Sequence, residues 1–304
     1  MEYFPAFILI LFSLFLIFFL LVASQLSLAQ PDTTGGKRHV DPGEPVPTFY
    51  QLLETQWDYL MHEFPEWATD VGYTGQNGKW TDLSFDAIER RQSDAHDFVK
   101  ILRFGNRAQY LDDQGKFEYS VVMFSSNDQI ESFPFHEELL PISQLYGIQQ
   151  DIPYKLSTQP NNNAEDYNDI LSRMRGIPFL IDQVITLMNK GIEMKITQPK
   201  ITMRDVPDQV KSLLADNPRN SPLLAPFMKF PVMISGAEQA TLMSMALEVY
   251  RDSIVPAVKK LDDYLVNTYI PNCRESIAMK DLPDGKDWYA YKVRHHTTTS
   301  MDPD

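Results

Sequence analysis

The chain has 304 residues, 43% hydrophobic and 22% charged, a composition that excludes wholesale disorder and allows a sizeable core. Lys plus Arg number 27 against 41 Asp plus Glu, a net charge of -14, which argues against a nucleic-acid binder that must displace counterions from phosphates. The one cysteine, Cys273, excludes an intrachain disulfide and with it a disulfide-stapled secreted scaffold.

The first element is apolar. Residues 6–23 carry no charge and only Ser13 is polar. Ser27-Leu28-Ala29 then places small residues where signal peptidase cuts, so residues 1–29 read as a cleaved signal peptide. An uncleaved membrane anchor remains open. The leading residues hold no Lys or Arg, and at ~1.5 Å per residue the run reaches ~27 Å, near a bilayer core. A buried core helix is the third reading. The first two send the remainder out of the cytoplasm, with membrane contact only through this segment. Residues 30–47, rich in Pro, Gly and charge, read as a flexible linker.

Residues 48–304 read as one domain, mainly α. Phe49, Leu52, Leu53, Trp57, Leu60, Met61 and Phe64 form a helical stripe, with Thr48 and Gln51 as a capping box and Pro65 as the stop. A Gly-rich turn over 72–78 precedes a helix capped by Ser84, with Phe85, Ile88, Phe98, Ile101 and Leu102 on its apolar side. Residues 111–130 predict a third helix despite Gly115, and 133–154, with three prolines, an irregular stretch. Asn163 caps a helix running to about Arg175; Ile177 to Lys190 predicts another, with Gly191 just past its end. Asp205 and Pro207 open a short helix through Ala215. Ser235, in a capping box with Glu238, opens the longest helix, to about Tyr269, kinked at Pro256. Its stripe is Leu242, Met245, Val249, Val255, Val258, Leu261 and Leu265. Leu282-Pro283-Asp284-Gly285 reads as a turn.

The chain has six histidines, and a helical metal site needs two His at i and i+4 beside a Glu. His62-Glu63 starts that pattern, but residue 66 is Glu and Pro65 intervenes; His136-Glu137 starts it, but residue 140 is Leu. Neither makes a zinc site. His295-His296 sits in the donor-rich run WYAYKVRHHTTT, 288–299. Three readings stay open for it: a polar loop, one wall of a substrate cleft formed with Arg294, or metal ligation. Adjacent imidazoles point apart, which disfavours the last. No nucleophile elbow, P-loop or dinucleotide fingerprint occurs, and Cys273 reads as structural. No catalytic residue and no metal ligand is assigned.

Several segments together resemble one family. They are Phe64 to Gly72 (FPEWATDVG), Pro141 to Gly147 (PISQLYG), Arg173 with Ile177-Pro178 and Asp182-Gln183, and Pro199-Lys200. They continue with Ser221 to Phe227, Val255-Pro256-Ala257, Tyr269 to Arg274, Leu282 to Gly285, Tyr289, Tyr291 and Arg294 to Thr299. In order and spacing they are similar to the bacterial DUF885 proteins. That resemblance implies helical zinc peptidases of the gluzincin type, about twice this length, with an H-E-x-x-H-like motif downstream of the Thr-rich segment. It implies that this chain is the N-terminal, substrate-covering half of an exported metallohydrolase acting on peptide-like substrates. Its partner would be the missing C-terminal half, and zinc would belong to the full-length family and not be bound by this chain. It further implies that the 235–269 stripe awaits helices from the missing half, so that this half alone would be inactive and expose apolar surface. The alternative is a non-catalytic exported helical binding or anchoring protein.

Overall fold

A computed structural model describes residues 47–302 except 105–107 and 110. The proposed signal or anchor, and the linker up to residue 46, lie outside the described residues. Among the described residues no helix is long and apolar enough to cross a membrane.

The architecture is helical, with one isolated bridge, Pro199 to Arg274, among the described residues. Helix α1 (Phe49–Glu63) opens on the full Thr48–Gln51 capping box. It breaks at Phe64, and Pro65 then starts α2 (Pro65–Asp70), because proline's missing N–H is harmless at a first helical position. Ser84 accepts from the Ala87 amide to start α3 (Phe85–Arg103), and Asp112 caps α4 (Asp113–Ser132) through the Gly115 amide. The stretch expected to be irregular holds two short 3₁₀ turns, Phe133–Phe135 and Glu137–Leu139. It then enters α5 (Ile148–Thr158), which tolerates Pro153.

The expected break near residue 176 does not occur. Helix α6 runs unbroken from Ala164 to Met194, from the Asn163 cap to a left-handed Lys195. Gly176 is a notch: a Cβ there would sit 2.8 Å from Cδ1 of Trp80, whose indole donates to the Arg173 carbonyl at 2.8 Å. Gly191 is likewise inside the helix, where a Cβ would lie 2.6 Å from the Ile196 carbonyl oxygen. Close approach, and not helix termination, selects both glycines.

The helix after Asp205 is shorter than expected, α7 (Val206–Lys211). The long rod is continuous from 236 to 272: α8 (Gly236–Val249), a π turn (Tyr250–Ile254), α9 (Val255–Tyr264), a second π turn (Leu265–Tyr269) and α10 (Ile270–Asn272). Ser235 caps it through the Glu238 amide, half of the expected box. The expected kink at Pro256 is a change of register. The Val255 amide bonds five residues back to Tyr250, and the Ile270 amide, next to Pro271, bonds back to Leu265. A proline ring clashes with the carbonyl four residues earlier, and a widened turn moves that carbonyl aside.

The core corrects another expectation. Leu242, Val249, Val258, Leu261 and Leu265 of the rod are buried inside this chain, packed with Ile170, Met174, Ile181 and Val184 of α6, Val206 and Val210 of α7 and Phe227. Five of the stripe's seven residues are thus covered by this chain's own helices, while Met245 and Val255 stay half-buried. A second cluster joins α1, α3 and α4 through Phe49, Leu52, Leu53, Leu102 and Val122. A third, around Leu139, Leu187, Ile196, Leu282, Trp288 and Tyr291, fastens the last helix, α11 (Gly285–Thr297), to α6.

Candidate functional site

Arg294, His295 and His296 lie on the last turn of α11, so the polar-loop reading gives way to a helix. The helix begins at Asp284, held left-handed at φ 50°. Gly285 follows because a Cβ there would stand 2.1 Å from the Met279 carbonyl oxygen. Trp288, Tyr291 and His295 then fall at i, i+3 and i+7, one face of a helix. Trp288 and Tyr291 are buried and both stack on Phe135, at 5.7 Å and 5.4 Å between ring centroids.

Polar contacts finish the seat. Trp288 Nε1 donates to Glu137 Oε1 at 2.9 Å, and Lys292 pairs with the same carboxylate. Tyr291 Oη donates to the Asp128 carbonyl at 3.3 Å, while His295 Nδ1 lies 2.6 Å from Asp128 Oδ2. Arg294 pairs with Glu131. Burial, with Asp128 and Glu137 nearby, holds the Tyr291 hydroxyl far above its ordinary range, so it stays protonated.

His296 differs. Its ring meets His295 edge-on at 4.9 Å, and among the described residues it makes no hydrogen bond. Burial, then His295 and Lys292, push its pKa below the usual histidine value. At neutral pH it is an uncharged imidazole offering one N–H donor and one lone-pair acceptor. The structure thus separates the three candidates: Arg294 and His295 are tied to acids of α4, and His296 alone is free to meet another molecule.

The other histidines are local. His62 Nδ1 lies 2.7 Å from the Asp58 carbonyl oxygen, and His136, left-handed at φ 52°, pairs with Glu138 at 2.9 Å. Cys273 is buried, and burial pushes its thiol up to about 12, leaving it unreactive. Among the described residues no group of three His, Cys, Asp or Glu is placed to hold a metal, and the Asp128 contact occupies one nitrogen of His295. The residues described do not fit a zinc site.

Two features escaped the sequence reading. Arg173, quoted above only for resemblance, is fully buried. It donates to Lys79 O, Pro65 O and Gln76 O, and to the side chains of Gln159 and Thr69. Trp80 lies under its guanidinium at 5.4 Å. Asp151 makes no ion pair among the described residues. Burial first, then Glu66, raise its carboxyl to about 7, although Lys155 opposes the shift. That lysine turns instead to Asp70 and to the Glu66 carbonyl.

The family model described as "Bacterial protein of unknown function (DUF885)" matches residues 65–304. Among solved structures the chain is similar to one described as "the putative lipoprotein from Colwellia psychrerythraea". The TM-score is 0.73 at 13% identity, over 83% of this chain and 46% of that one. At this identity the likeness is one of fold, and the chain spans about half the length of that structure. No curated protein sequence matches the chain.

Proposed function

The chain belongs to the DUF885 family, and we propose, from the resemblance described above, that it forms the substrate-covering half of an exported metallohydrolase that cleaves peptide-like substrates. The observation that carries the reading is the last turn of α11, where two basic residues are tied down and a neutral His296 is left unpaired. A neutral imidazole can donate to a substrate carbonyl or accept from a substrate amide without adding charge. Support also comes from the twofold greater length of the structure sharing this fold. In this reading the zinc sits on the other half, because the described residues of this chain do not fit it, and no step is routed through it here. Export rests on the apolar run 6–23 and the Ser27-Leu28-Ala29 site.

A second reading is favoured by one specific observation, the burial of the 236–272 stripe by the chain's own helices. It is the non-catalytic exported helical binding or anchoring protein. The two separate on one experiment. The intact gene product, with whatever the gene encodes beyond residue 304, is assayed on a mixed peptide library with and without a metal chelator. Chelator-sensitive cleavage is the expected result; no cleavage under any metal supplement leaves the binding protein.

A further inference from the structure

A half-open cleft of about 260 Å³ separates α6 from the long rod. Its walls are Arg175 on α6 and Met245, Glu248, Val249, Asp252 and Ser253 on the rod. The floor is aliphatic, with Val249 buried and Met245 half-buried. The rim is charged, and among the described residues Arg175, Glu248 and Asp252 have no ion-pair partner, so no salt bridge closes the mouth.

The sequence dictates this opening. Pro256 forces the π turn over Tyr250–Ile254, and the extra residue widens the rod where Asp252 and Ser253 sit. Arg251 does not fill the gap, because its Nε folds back onto the Leu247 carbonyl at 3.2 Å. Across the cleft, two residues before Arg175, the buried Arg173 hub fixes α6 against Trp80. The exposed Arg175 side chain therefore shares the cleft lining with two carboxylates, Glu248 and Asp252, over an apolar floor.

We infer that this cleft binds a small aliphatic zwitterion, a molecule bearing an ammonium and a carboxylate, such as a free amino acid or a dipeptide. The Arg175 guanidinium takes the carboxylate through paired N–H donors. Glu248 and Asp252 take the ammonium, the Ser253 hydroxyl adds a polar contact, and Met245 and Val249 meet the aliphatic side chain. No bond is made or broken, and the inference holds whether or not the chain serves a hydrolase.

The test titrates the purified chain, carrying ¹³C-methyl methionine, with leucine, Gly-Leu, N-acetylleucine and leucinamide. The Met245 methyl, assigned by Met245→Leu, should shift on addition of leucine or Gly-Leu, and the stronger of the two identifies the source. N-acetylleucine lacks the ammonium and leucinamide the carboxylate, so each should bind at least ten-fold more weakly. Arg175→Met and the double variant Glu248→Gln/Asp252→Asn should each weaken zwitterion binding on the order of ten-fold. All three positions are exposed, so melting curves should match the parent chain. No shift of the Met245 methyl at millimolar leucine or Gly-Leu overturns the inference. So does equal binding of the blocked analogues, or full affinity in Arg175→Met.

Discussion

Arg173 shows how one buried charge organises a protein. Its donors reach residues 65, 69, 76, 79 and 159, tying α2, the Gly-rich turn and the end of α5 to the middle of α6. Burial lowers its pKa to about 10, still well above neutrality, so the charge persists. Arg173→Met removes the donors and leaves several buried acceptors empty. We expect a loss of about 3–5 kcal/mol in urea unfolding, typical when one side of a buried polar network is deleted. Asp151 acts in the opposite sense. Its folded pKa of about 7 exceeds the ordinary 3.8, so the folded state resists its ionisation. The penalty is absent below about pH 4, grows as pH rises, and is complete above about 7. Asp151→Asn should therefore raise Tm increasingly between pH 4 and 7 and by a constant amount above. A Tm gain that does not depend on pH would contradict this assignment.

At the scale of elements, α11 depends on one glycine. Gly285→Ala would drive a methyl into the Met279 carbonyl, which is backbone and cannot swing aside. We expect it to detach the helix, seen as a red shift of Trp288 fluorescence as that indole leaves Phe135. The helix was also the element least legible in the sequence. Its stripe of Trp288, Tyr291 and His295 mixes aromatic and polar groups, and it starts from a left-handed Asp284 with no capping side chain. Helices with conventional signals were readable, as at Thr48, Ser84, Asn163 and Ser235. The expected helix end near Arg175 and the reading of Gly191 as a stop misled, because punctuation and close packing use the same residues. The site residues Arg294, His295 and His296 were legible as a donor-rich cluster. Their anchors Glu131 and Asp128 were not, since they lie 163 and 167 positions upstream and meet them only in the tertiary fold.

Across the whole molecule, burial is uneven. Helix α6 feeds both the main core and the cluster beneath α11, whereas α4 buries Val122 as its one large apolar side chain. Its Phe117 and Phe124 stay exposed. Local opening follows buried apolar contact, so α4 amides should exchange with solvent well before those of α6. Equal protection would contradict a core centred on α6. Because the rod's stripe is covered internally, residues 30–304 should melt cooperatively as a soluble monomer, and not expose that stripe to a hydrophobic dye.

In the proposed function, α11 is held by its buried face so that His296 can contact substrate. That contact is tested most directly by kcat/KM for peptide cleavage by the intact gene product and its His296→Ala variant, at matched Tm. His296 makes no hydrogen bond among the described residues, so stability should be unchanged. Loss of a substrate hydrogen bond should lower kcat/KM roughly ten-fold. Unaltered kcat/KM in the variant, with cleavage intact in both, would contradict it.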